Sequence, residues 1–124
     1  MVYIFRNLIF LLLLTGLVFS TTSCNKEKLP EDVPTCIEDK IKEYKNVSPN
    51  ASCDKAYIKE YTFQGRTVYK GYAGDACVDG GQTIFDENCE QICFLGGLAG
   101  IRDCDGEVFN ETATFVKLIW EEDE

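Results

Sequence analysis

Seven cysteines and no histidine set the limits of the chemistry open to this 124-residue chain. Without imidazole there is no Ser-His-Asp or Cys-His catalysis, no His-ligated metal and no imidazole acid–base step. Cys24, Cys36, Cys53, Cys77, Cys89, Cys93 and Cys104 remain as thiolates, metal ligands or disulfide partners. Structural zinc sites pair close cysteines in two sets, whereas here only Cys89-x-x-x-Cys93 is close and no second pair answers it. The spacing therefore favours disulfides over zinc. A thiol enzyme at Cys89 or Cys93 would need a free, activated thiolate.

The carboxylates and glycines offer weaker patterns. Asp103-x-Asp105-Gly106-Glu107 has the opening of a calcium loop without the acid that closes one, so an Asp-Gly hairpin turn is expected and no metal site. Asp75, Asp79, Asp86 and Glu87 could supply an acid–base pair for glycoside hydrolysis, but nothing in their spacing sets two of them apart. No catalytic residue and no cofactor are assigned. Gly96-Gly97-x-x-Gly100 lacks the lysine or following helix of a phosphate loop. It is read as a loop with positive-φ positions and as the candidate recognition surface. Asn46, Asn50 and Asn110 begin N-glycosylation sequons, which are usually silent in a bacterium.

Charge and the first residues say where these groups work. With 12 Lys and Arg against 21 Asp and Glu, the formal charge is −9, which excludes nucleic acid as a main partner. Residues 1–23 carry one charge, Arg6, then the apolar run Leu8 to Leu14 and a small polar stretch, Ser20 to Ser23. This is the three-part pattern of a secretory signal, too short in its apolar core to span a bilayer. Ser23-Cys24 resembles a bacterial lipobox in a loose form, with Thr21 where Leu is usual. That resemblance implies lipidation of Cys24, removal of residues 1–23, and a membrane as partner through the N-terminal lipid. An ordinary cleaved signal with a spare thiol is the alternative. Asn25 implies sorting to the outer membrane, and Lys26-Glu27 weakly resembles a surface-export tag. Cysteine parity agrees, because taking Cys24 for lipid leaves Cys36, Cys53, Cys77, Cys89, Cys93 and Cys104 for three bridges in an oxidising compartment.

The elements that must carry these groups follow from periodicity. Residues 24–34 form a tether, 35–120 a single α+β domain and 121–124 an acidic tail. Thr35 to Glu38 has a capping-box pattern, and Ile37, Ile41 and Tyr44 fall at i, i+4, i+7, predicting an amphipathic helix over 36–45 with a Glu38–Lys42 pair. Strands are predicted at 56–63, 67–72, 82–85, 91–95, 107–109 and 113–120. A two-residue turn at Gln64-Gly65 pairs Phe63 with Arg66, Tyr61 with Val68 and Tyr57 with Tyr72, which sets an aromatic stripe on one sheet face. That stripe is core or a ligand-stacking surface. The expected fold is one N-terminal helix packed on a small antiparallel β-meander, stapled by disulfides. Nearest-neighbour pairing gives Cys36–Cys53, Cys77–Cys89 and Cys93–Cys104, each contributing about 3 kcal/mol, although six cysteines admit fifteen pairings.

Cys36-Ile37, Lys40-Ile41, Tyr61 to Gly65 with Val68-Tyr69, Asp86-Glu87-x-Cys89, Leu95-Gly96-Gly97 with Gly100, and Ile119-Trp120 together resemble a family of small Bacteroidota lipoproteins carrying a domain of unknown function. The resemblance implies the fold and an outer-membrane or cell-surface location, and brings no catalytic residues. The expectation is a lipid-anchored, non-catalytic binding module for an unknown protein or small ligand. The alternative is an inhibitor of a protease or lysozyme-like hydrolase.

Overall fold

The computed structural model describes residues 28–47, 54–74 and 80–123. Cys24, Cys53, Cys77, Asp75, Asp79, Asn50 and the predicted signal lie outside the described residues. The first element is the helix α1, Thr35–Lys45. Its three buried residues are Ile37, Ile41 and Tyr44, the set the periodicity picks out. The capping box does not form. Pro34 occupies the cap, its carbonyl accepting from the Ile37 and Glu38 amides at 2.9 and 3.3 Å, and Thr35 is already helical. A proline ring holds the φ that an entering chain needs, so the helix starts without a side-chain cap. The Glu38–Lys42 pair is also replaced, by Asp39–Lys42 at 2.7 Å and Lys40–Glu43 at 2.8 Å, both one residue closer along the helix.

The sheet is built from β1 (Tyr57–Phe63), β2 (Arg66–Tyr72), β3 (Gly81–Phe85), β4 (Gln91–Gly96) and β7 (Thr114–Glu121), all antiparallel. Two short strands, β5 (Asp103–Cys104) and β6 (Glu107–Val108), form a separate hairpin, followed by a one-turn helix, α2 (Phe109–Thr112). The five-stranded order is β4-β3-β2-β1-β7. The expected meander thus holds for the first four strands only. The last strand returns beside β1, and the 107–109 strand ends a residue early as α2 begins. Gln64 and Gly65 have φ of 49° and 74°, the pair of left-handed residues that a type I′ hairpin turn requires, and the β1–β2 register matches the predicted one at each of the three pairs.

Alternation along the strands gives the sheet two covered faces. On one, Ile58, Tyr69, Ile119 and Trp120 pack with Ile37, Ile41 and Tyr44 of α1. On the other, Phe63, Val68, Ile84 and Leu95 pack with Cys104 of β5 and Phe109 of α2. The Phe109 ring lies 5.0 Å from Phe63 and 5.3 Å from Tyr61, centroid to centroid. Burying a large apolar side chain contributes about 1.5–3 kcal/mol.

Each face has its own disulfide. Cys36–Cys89 ties the first turn of α1 to the turn after β3, with Cα atoms 5.9 Å apart. Cys93–Cys104 ties β4 to β5 at 5.3 Å. The second bridge is the nearest-neighbour pair. The first overturns the Cys36–Cys53 and Cys77–Cys89 pairings, because α1 lies across the sheet and delivers Cys36 to residues distant in sequence. Asp86 prepares the far end of that bridge. Its Oδ1 accepts from the Asn88 and Glu90 amides at 2.8 and 2.9 Å, and the turn so fixed holds Cys89 at φ 61°.

Candidate functional site

The largest change from an ordinary packed sheet lies beside α1, where glycines replace side chains. Gly71 of β2 and Thr83 of β3 are cross-strand partners on the helix face, and Gly81 lies two residues further along β3. A Cβ on Gly71 would stand 2.5 Å from the Tyr44 hydroxyl oxygen, and one on Gly81 would fall inside the Phe94 ring. The missing side chains let the two rings lie against the backbone. Between them runs a groove of about 320 Å³, with Lys40, Glu43 and Tyr44 on the helix wall and Phe85, Gln91 and Phe94 on the sheet wall. This volume is at the small end of ligand pockets and suits a single ring or side chain.

The polar groups at this groove are neutral or paired. Lys40 donates to Glu43 and lies 5.3 Å from the Phe85 ring centroid, which places a cation over an aromatic face at the rim. Thr83 and Gln91 add hydroxyl and amide groups that both donate and accept. The arrangement can hold a small polar ligand by stacking and hydrogen bonding.

The glycine loop adjoins this groove. Gly96, Gly97 and Gly100 have φ of 87°, 70° and 60°, so all three adopt the left-handed backbone expected of them. Gly96 and Ile101 exchange backbone hydrogen bonds at 2.7 and 3.1 Å, and the Gly100 amide donates to the Gly97 carbonyl at 3.0 Å. The result is a closed turn between the strands joined by Cys93–Cys104. At its tip Leu98 is 89% exposed, and Ile101 and Phe94 are partly exposed nearby. Leu98 thus stands outside the core, on a turn closed by backbone hydrogen bonds.

The other sequence-predicted groups take structural places. Asp105-Gly106 is the turn of the β5–β6 hairpin, with φ of 49° and 85°. Asp105 accepts from the Arg66 guanidinium at 3.1 Å through its carboxylate and from the Gln64 side-chain amide at 3.1 Å through its carbonyl, which clasps the two hairpin tips together. Asp86 is committed to its own turn. Cys89 and Cys93 are bonded to different partners, so neither sulfur is a thiolate. Among the described residues no three His, Cys, Asp or Glu side chains come together as a metal site. The groove itself escaped sequence reasoning. Its signal was Gly71 inside a predicted strand, since an interior glycine marks a close approach to the backbone.

No curated protein and no solved structure matches the chain. A family model does, over residues 41–122, which takes in the end of α1, the whole sheet, the glycine loop and all of the groove's lining except Lys40. The chain therefore belongs to the family described as Domain of unknown function (DUF6970).

Proposed function

We propose that this protein is a lipid-anchored binding module of the bacterial cell envelope that recognises its ligand without catalysing a reaction. The observation that carries the reading is the pairing of a preformed aromatic groove with a rigid loop, each secured by a disulfide of the kind an oxidising compartment maintains. The family resemblance, to small Bacteroidota lipoproteins, supports an outer-membrane or surface location with Cys24 as the acylated residue. Small polar groups of the envelope, such as one sugar ring of a saccharide or one side chain of a peptide, fit the groove's size and its mixture of rings with Thr83 and Gln91.

Two experiments test this. Cys24→Ala should leave the protein unlipidated and missing from the outer-membrane fraction; a variant that still fractionates with the outer membrane in detergent-labile form contradicts the anchor. In a screen of small saccharides and peptides against isotope-labelled protein, binders should shift the amide signals of Gly81, Thr83 and Phe94. Binders that leave these signals unmoved contradict the groove.

The exposed Leu98 favours one second reading, an inhibitor that inserts this loop into a protease or lysozyme-like hydrolase. Such an inhibitor forms a stoichiometric complex that Leu98→Asp abolishes. The turn from Gly97 to Gly100 is compact rather than extended, and an extended strand is what a protease cleft takes up most readily.

A further inference from the structure

The sheet face opposite the groove carries two lysines side by side. Tyr57 pairs with Tyr72 and Tyr61 with Val68, so Lys59 and Lys70 are direct cross-strand partners projecting from the same face. Like charges directly opposite one another destabilise a sheet. The chain has 21 acidic residues, and the described ion pairs go to Lys40, Lys42, Arg66, Arg102 and Lys117. Lys59 and Lys70 form no ion pair with a described residue.

Their surroundings are aromatic and amide groups. The Lys59 ammonium is 4.4 Å from the Tyr57 ring centroid. The Lys70 ammonium lies 6.0 Å from the Tyr61 centroid and 5.6 Å from that of Phe109, and donates to Asn110 Oδ1 at 3.2 Å. Lys70 is only 8% exposed, yet that amide oxygen is its one hydrogen-bond acceptor among the described residues, where an ammonium has three N–H groups to satisfy. Burial and the Lys59 charge both push the Lys70 pKa down, the sign of an ammonium short of a counter-ion. Lys59 is the more exposed of the two.

We infer that Lys59 and Lys70 form an oxyanion-binding site, with the Tyr57 ring as a stacking surface for the group that carries the oxyanion. The ligand class is an acidic small molecule, with a carboxylate, sulfate or phosphate taken between the two ammonium groups. This site lies across the sheet from the groove and does not rest on the function proposed for it.

The probes are glucuronate and inorganic sulfate, with glucose and sodium chloride as controls at matched ionic strength, titrated into the folded protein and followed by the Asn110 side-chain amide signals. Saturable shifts with glucuronate and sulfate are expected, and none with glucose. Binding by glucuronate alone would assign the site to a carboxylate presented on a ring. Lys59→Gln should weaken binding about tenfold or more, the scale of one charged hydrogen bond. In the absence of anion it should also raise the melting temperature by relieving the repulsion. Lys70→Met should abolish binding, and Lys59→Gln keeps the test open if that buried substitution unfolds the protein. No saturable shift with either anion, or unchanged affinity in Lys59→Gln, overturns the site and leaves Lys70 as a stem that covers Phe109.

Discussion

On the helix side of the sheet, α1 contributes three buried side chains and a disulfide spanning 53 residues; on the opposite side, β5, β6 and α2 contribute Phe109 and a disulfide spanning 11. The two layers solve one problem, covering a sheet face, under different chain constraints. The β5–β6–α2 layer is inserted between β4 and β7, so short connections already hold it in place and its bridge adds local stiffness to the glycine loop. The helix comes early in the chain, and its covalent tie must reach across the fold. Chain entropy makes that tie the more valuable. Closing the longer loop restricts the unfolded chain by about 4 kcal/mol, against about 3 kcal/mol for the shorter one.

The strongest test of this contrast removes each bridge in turn. Replacing Cys36 and Cys89 together by alanine should cost about 4 kcal/mol in urea unfolding and should release α1, read as loss of amide protection over residues 37–45. Removing Cys93 and Cys104 should cost about 3 kcal/mol, loosen the Gly96–Gly100 turn and leave α1 protected. A larger loss from the second pair than from the first would reverse the comparison.

Alkaline titration probes both faces at once. Burial pushes Tyr69 on the helix face and Tyr57 on the other up to about 12, with Glu60 and Glu87 adding to the shift at Tyr69 and neighbouring Tyr61, Tyr72 and Asp54 to that at Tyr57. The neutral phenol is the form the folded state favours. The contribution of each is therefore fully present below pH 10, and is lost as pH rises from about 10 to about 12. Unfolding monitored by denaturant at pH 9, 10 and 11 should show stability falling across this window. Tyr57→Phe and Tyr69→Phe should each flatten the fall, one for each face. The smallest effect on stability is expected from Gly81→Ala, whose Cβ displaces the Phe94 ring into solvent. Its stability should stay within about 1 kcal/mol of the parent, because the gain in backbone restriction offsets the lost ring contact. Ligands of the groove should nonetheless bind more weakly, a change confined to the helix face.

What was legible in the sequence was local. Ile37, Ile41 and Tyr44 mark a helix face at 3.6-residue spacing, and Gln64-Gly65 fixes a register within a few residues of itself. The positive-φ glycines at 96, 97 and 100 follow from the same short-range logic. The non-local outcomes were not legible. Strand β7 returning to β1, and Cys36 reaching Cys89, depend on where whole elements pack and on no signal within either segment. The groove needs α1, β2, β3 and β4 assembled before Gly71 and Gly81 acquire a meaning. The lysine pair is the instructive exception. A register joining Tyr57 to Tyr72 and Tyr61 to Val68 leaves Lys59 opposite Lys70, so a repulsive pair could have been read from the hairpin alone.

The two sheet faces are each held by their own bridge, and export with a lipid anchor at Cys24 is the proposal that goes with them. Intact mass and non-reducing peptide mapping of the protein purified from membranes, with free thiols alkylated first, test both most directly. The account predicts a chain that begins at an acylated Cys24, linked peptides containing Cys36 with Cys89 and Cys93 with Cys104, and no alkylation before reduction. An unacylated start, or an alkylated thiol at any of those four bridged positions, would contradict it.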